Sequence, residues 1–282
     1  MHVTWPRWLS QPFQVSDGSR KPETDKKRED ATLLIRQHLR DAFTSGRRSV
    51  PNPVIETAWA RVKSSQIRLM LALEYPVAVI EQLKKPEKQS FPGLFKRQAP
   101  PDMTRAQRVL DRLLAAVPGT PRATTLQLFH SLRPNAFAAG AGRLGVTDAL
   151  MRAVRDDDEL AFVLAHELAH DQHRDNAGLT QATLGVPALL PRLIAMGQTP
   201  DMATRIFESE LNRLQQQVER EADIKALQLM RAAGFDPQGA VSLLKTLQKS
   251  EQGREKCSDG GHPPTPERIK AIQAIIKKTP SG

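Results

Sequence analysis

The sequence predicts a mainly helical α+β protein, on three observations. Apolar residues recur at helical spacing through much of the chain, the interval 124–147 breaks into short alternating or glycine-rich pieces, and one strongly apolar helix carries two histidines four residues apart. With 282 residues, 39% of them hydrophobic, the chain can build a sizeable core in one large domain or two ordinary ones.

Residues 1–30 mix Trp, Pro, Gly and charged side chains without period and read as an extended or disordered arm. Over 31–43, Leu34, Ile35, Leu39 and Phe43 fall at helical spacing, and the segment stops at Ser45-Gly46. Residues 54–83 read as a helix kinked or broken at Pro76, where proline removes a donor and collides with the preceding turn. Four prolines and a glycine over 86–102 mark a linker. The boundary falls there, dividing a helical N-terminal region with its linker (31–103) from the main domain (104–282).

A helix over 104–117 presents Val109, Leu110, Leu113, Leu114 and Val117, and ends at Pro118-Gly119. Residues 124–130 alternate, and 135–147 hold Gly140, Gly142 and Gly145 among small residues, which predicts short strands in a small antiparallel sheet. In the next helix Asp156 offers an N-cap oxygen and a capping-box-like pairing with Glu159, while the acidic run 156–159 meets the positive end of the dipole. That helix starts near Asp157 and ends around Arg174, with Gly178 just beyond; apolar on two sides, it belongs in the core. Residues 180–201 fit either a flap over a cleft or a helical hairpin. A long helix over 203–233 stops at Gly234-Phe235-Asp236-Pro237, and helices over 238–252 and 266–278 flank the loop 259–264.

The formal charge of +10 would suit nucleic acid or an anionic membrane surface. The basic residues are scattered, however, and one Tyr offers little for bases to stack on, so nucleic acid is not expected. A solvated basic surface fits better, with membrane-surface association left open. Cys257, the single cysteine, excludes an intrachain disulfide and a thiolate-rich metal site. Residues 1–13 show no signal-peptide pattern, consistent with a mature form or a truncated start. Neither 67–80 nor 184–197 reaches the roughly 18–20 apolar residues of a membrane span.

The chemistry centres on Leu164-Ala165-His166-Glu167-Leu168-Ala169-His170, an HExxH sequence. Two histidines at i and i+4 stack on one helical face and can share a zinc ion, with Glu167 on the flank as general base. A catalytic zinc takes three protein ligands and keeps one position open. Glu219 and Asp223 share a face of the later helix, so Glu219 can supply the third ligand while Asp223 accepts the free N–H of a ligand histidine. Glu221 lies on another side, as a surface residue or a partner of Lys225. His2, His38 and His130 lack partner spacing and are placed in the arm, on a helix surface and near a strand end.

HELAH, then ExEAD at 219–223, then HPPTPERI at 262–269, with Pro134-Asn135-Ala136-Phe137-Ala138 upstream, resemble the M48 family of zinc metallopeptidases. The resemblance covers about 104–278. It implies a gluzincin-like fold, with a small sheet over the HExxH helix, and endopeptidase activity with one zinc ion per chain. It implies His166, His170 and Glu219 as ligands, Glu167 as base, Asp223 behind a ligand histidine, and His262 and Arg268 on the catalytic side, with His262 stabilising the oxyanion or capping the metal. Asn135, Ala136, Phe137, Ala138, Ala139 and Gly140 would form the edge that pairs with an extended substrate. It further implies unfolded or misassembled polypeptide substrates, in protein quality control, and a bacterial envelope location; a cytoplasmic one is not excluded.

The chain departs from the family pattern at Asp171, where an apolar residue is common, at Asp175, and at Gly261, where Ser or Thr is common. His173 is unmatched and is read as a solvent-facing helix end. A metal-bound scaffold that holds peptides without cutting them is the competing function.

Overall fold

The computed structural model describes residues 22–48, 101–117, 124–129, 134–140, 142–251 and 266–278. Residues 1–21 of the expected arm, the helix expected over 54–83 and most of the linker lie outside the described residues, while 22–30, also expected in the arm, are helical. Helix α1 (Pro22–Arg48) outruns the expected 31–43 at both ends. It begins on Pro22, a residue suited to a first helical turn, and continues through Gly46 because that glycine lies in a tight helix crossing. A Cβ at Gly46 would collide with Ala177 O, and one at Gly178 would come within 2.5 Å of the Phe43 ring. Packing here overrides the poor helix propensity of glycine.

Helix α2 (Met103–Ala115) starts where Asp102 accepts from Arg105 N. Three strands follow, β1 (Thr125–Phe129), β2 (Ala136–Gly140) and β3 (Arg143–Thr147), in the order β1-β3-β2. The sheet is mixed, which corrects the expected antiparallel one: β2 and β3 form an antiparallel hairpin, while β1 runs parallel to β3. With β2 antiparallel to β3 and outermost, the two like-directed strands β1 and β3 become neighbours. The tight turn uses glycine's tolerance of positive φ at Gly140 (81°) and Gly142 (76°). Gly145 stands opposite Phe137, whose ring covers it and lies 5.0 Å from that of Phe129.

Helix α3 (Asp148–Ala153), which the sequence pattern did not suggest, is capped by Thr147 and buries Leu150 and Met151. Helices α4 (Asp157–His173) and α5 (Asp175–Leu184) meet at Arg174. A 3-10 turn (Val186–Leu189) and α6 (Leu190–Ala195) complete 180–201 as helical structure, with Ala182, Leu189 and Leu193 buried. Helices α7 (Pro200–Ala232), α8 (Gln238–Glu251) and α9 (Pro266–Lys278) match the expected spans within a few residues.

The apolar core falls into two clusters. One gathers α2, the sheet, α4, the C-terminal half of α7, α8 and α9 around Leu160, Leu164 and Leu168. The other packs Ile35, Leu39 and Phe43 of α1 against Ala182, Leu193, Ile206, Phe207 and Leu211. On α7, Glu219 and Asp223 fall between Val218 of the second cluster and Ala226 of the first. No helix among the described residues is long and apolar enough to cross a membrane.

Candidate metal centre

Helix α4 begins as its sequence dictates, with the Asp156 carboxylate accepting from Glu159 N at 2.8 Å. Glu159 is itself buried, taking hydrogen bonds from Arg155 N (2.8 Å), the Arg155 guanidinium and the Ser242 hydroxyl (2.6 Å). Every residue from Glu159 to Asp171 is buried, because α7, α8, α2 and β2 all pack on this helix. An apolar helix enclosed on all sides holds its polar residues in fixed surroundings.

Helix α4 ends at the expected place: Arg174 stops it, adopting a left-handed conformation (φ 57°, ψ 41°) that turns the chain into α5. Gly178 lies inside α5, beneath Phe43. This sharp turn brings Asp175 back toward His170.

His166, His170 and Glu219 offer ligand atoms that all lie within 4.8 Å of one another, the one such group among the described residues. The Nε2 atoms of the two histidines are 3.1 Å apart. Glu219 places Oε2 3.4 Å from His166 Nε2 and Oε1 3.4 Å from His170 Nε2. Each imidazole turns its other nitrogen to a buried carboxylate: His166 Nδ1 is 3.0 Å from Asp223 Oδ1, and His170 Nδ1 is 2.7 Å from Asp175 Oδ2. With Nδ1–H donating to these carboxylates, both rings present the Nε2 lone pair to the shared space. Two imidazole nitrogens and one carboxylate are a donor set that fits zinc. Glu167, directly after His166 in sequence, is 2% exposed.

The electrostatics follow from burial and carboxylate neighbours. Burial alone would lower His166, and Arg268 adds to that, but Asp223 and Glu219 outweigh both and raise its pKa. His170 is raised well above its ordinary value: burial opposes the shift, and Asp175 and Glu219 overcome it. Metal and protons therefore compete for the same nitrogens.

Arg268 reaches the site from α9. It is 8% exposed, and its Nε and Nη2 each donate to Asp223 at 2.7 Å, with Nη1 3.6 Å from Glu219 Oε2. Burial pushes the Asp223 carboxyl up, but this guanidinium and His166 hold it below its ordinary range. His173 stays outside the group and is half-buried rather than solvent-facing. Glu221 pairs with Arg47 (3.4 Å) and accepts from Gln217 (3.0 Å), in place of the suggested Lys225. His38 packs its Nε2 against Gly185 instead of lying free on the helix surface. His2, His130, Cys257 and His262 lie outside the described residues.

Three contributors were not read from the pattern. Asp171 binds Gly142 N with both carboxylate oxygens, at 3.1 Å each, tying α4 to the β2–β3 turn. Asp175 is the acid behind His170, and Arg47 of α1 binds Asp175. The two acids stand at the positions where the chain departs from the family pattern, and those departures were the available signal. Arg47 carries no local signal, since its partner is 128 residues away.

Strand β2 is an edge of the sheet among the described residues and packs on α4. Asn135 pairs with Thr147, so the backbone groups of Ala136 and Ala138 face away from β3. The outward carbonyl of Ala138 accepts from Asn176 Nδ2 at 2.5 Å.

A buried pair of histidines in HExxH, completed by a glutamate from a second helix, defines a metallopeptidase-type centre. The chain belongs to peptidase family M48, whose sequence model matches residues 100–276. It is 28% identical over 173 residues to the mitochondrial metalloendopeptidase OMA1 of Schizosaccharomyces pombe, covering 59% of this chain and 50% of that protein. It is 27% identical over 164 residues to the metalloprotease YcaL of Escherichia coli, covering 56% and 63%. With the beta-barrel assembly-enhancing protease of Yersinia pestis it shares 30% identity over 125 residues, 40% of this chain and 26% of that protein. The chain thus spans about half the length of the curated relatives it matches.

Proposed function

We propose that the chain is a zinc-dependent endopeptidase with a gluzincin-like active site, its peptidase domain occupying 104–282 beyond an N-terminal helical region. The observation that carries this reading is the convergence of His166 Nε2, His170 Nε2 and a Glu219 oxygen within 4.8 Å, beside Glu167. When bound there, zinc would supply Lewis-acid polarisation of the scissile carbonyl and of the attacking water. Glu167 takes a proton from that water and returns it to the leaving amine. Asp223 and Asp175 hold the ligand imidazoles in the tautomer that faces the centre, and Arg268 holds Asp223. Arg268 thereby acts through its neighbours, a positioning role within the set carried over from the family pattern. His262 precedes α9 by four residues and is our candidate donor to the developing oxyanion.

The outward backbone of β2, Ala136–Gly140, is the proposed edge for an extended polypeptide, with Asn135 starting it. Unfolded or misassembled proteins are the substrate class, and the bacterial envelope the compartment, that this reading favours. The similarity to a beta-barrel assembly-enhancing protease supports a quality-control role. Casein degradation tests the activity: the wild type cuts, while Glu167→Gln and the chelated protein do not. Equal cutting by all three removes the metallopeptidase reading. A zinc-loaded wild type that binds casein without cutting it would favour a peptide-binding scaffold.

A further inference from the structure

We infer that Arg47, on a helix outside the family-matched region, is a positioning residue of the metal centre, acting on His170 through Asp175. The inference rests on the metal-binding reading above. Arg47 lies in the last turn of α1, whereas the family model begins at residue 100. Its Nε and Nη2 both donate to Asp175 Oδ1, at 3.0 and 2.5 Å. The other oxygen of that carboxylate, Oδ2, is the one facing His170 Nδ1 at 2.7 Å. One buried carboxylate is thus divided, one oxygen to α1 and one to a metal-ligand histidine. With Oδ1 held, the carboxylate plane is set, and so is the ring it orients.

Arg47 is itself fixed from several sides. Its guanidinium carbon lies 4.3 Å from the centroid of the Phe43 ring, and Nη2 is 3.4 Å from Glu221 Oε2, two residues along α7 from Glu219. Its carbonyl accepts from Arg174 Nη1 at 2.9 Å, which joins the end of α1 to the left-handed residue between α4 and α5. The Gly46–Gly178 crossing sets how close α1 comes. An arginine that only fastened α1 would need none of this alignment with Asp175. Another long-range ion pair of α1, Arg36 with Glu210 at 2.8 Å, fastens the helix farther along α7. Glu210 stands nine residues, about 14 Å of helix, from Glu219.

The test uses the full chain and two readouts that do not require turnover: zinc affinity by competition with a chromophoric chelator, and the visible d–d spectrum of the cobalt(II)-substituted protein. Arg47→Gln and Arg47→Met are compared with Arg36→Gln; the methionine keeps an apolar stem over Phe43 should the glutamine variant fail to fold. Both Arg47 variants are expected to bind zinc about tenfold more weakly or worse, the usual scale for loss of an outer partner, and to show an altered cobalt spectrum. Arg36→Gln should keep the wild-type affinity and spectrum, and Arg47→Lys should recover part of the loss. A folded Arg47 variant with unchanged or tighter zinc binding and the wild-type spectrum overturns the inference. A wild type that binds no zinc overturns the metal reading and this one with it.

Discussion

Both carboxylate oxygens of Asp171 lie 3.1 Å from the backbone nitrogen of Gly142, so the residue after His170 grips the turn that joins β2 to β3. Both partners are buried. Asp171→Ala would leave the Gly142 N–H without this acceptor in a closed space, and hydrogen bonds to charged groups contribute about 1.5–3 kcal/mol. A loss of that size in denaturant unfolding is expected, with a smaller one for Asp171→Asn, which keeps an acceptor oxygen. Equal stability of wild type and Asp171→Ala would show that the turn holds by itself.

Asp223 serves His166 and Arg268 at once, which makes Asp223→Asn a double injury. Zinc affinity should fall about 10–100-fold, as it does when an outer partner of a ligand histidine is lost. The buried Arg268 charge would lose its main partner, and breaking a buried pair costs about 3–5 kcal/mol. Chelator competition and denaturant titration of the same sample separate the two effects. Glu219→Gln, which alters a proposed ligand itself, should weaken zinc binding more than Asp223→Asn while costing less in metal-free stability.

At Gly46 two effects oppose each other. Alanine in a helix interior gains about 1 kcal/mol over glycine, whereas a Cβ here would strike the backbone oxygen of Ala177. Backbone cannot swing aside as a side-chain tip can, and overpacking of this kind costs about 1–3 kcal/mol. Gly46→Ala should therefore lower the melting temperature. An increase would mean that α1 can lift away from α5 without loss.

Glu210 links α1 docking to pH. Hydrogen bonding to Arg36 holds its carboxyl below the ordinary value of 4.5, against the opposing effect of burial and with help from Arg213. A depressed carboxyl contributes stability that is present above the unfolded-state pKa and lost as pH falls through the folded value. Arg36→Gln should then be less stable than wild type at pH 7, with the gap narrowing as acid protonates Glu210 in both. Thermal melts from pH 7 downward measure it; a gap independent of pH would detach Glu210 from the effect.

Much of the centre was legible because it is written in helical periodicity. The i, i+4 pair His166 and His170, the i, i+4 pair Glu219 and Asp223, and the Asp156 cap are local relations that a helix converts directly into geometry. The mixed sheet was not legible, since strand order depends on pairing across sequence rather than on alternation within a strand. Asp175 was missed for a related reason. Its approach to His170 depends on one left-handed residue, and arginine at 174 does not advertise that conformation as glycine would. Arg47 and Asp175 meet only through tertiary packing.

Helix α7 runs unbroken for 33 residues, lending its first half to the α1 cluster and its second half to the core around α4. The two clusters cannot melt separately unless this one rod frays in its middle, where Glu219 sits. An ion gripped at Glu219 would clamp the rod there, and its binding energy would be shared by amides of both clusters. Hydrogen exchange should then slow on α1 as well as on α4 when zinc is added, making the N-terminal helix a reporter of occupancy at a centre it reaches only through Arg47 and Asp175.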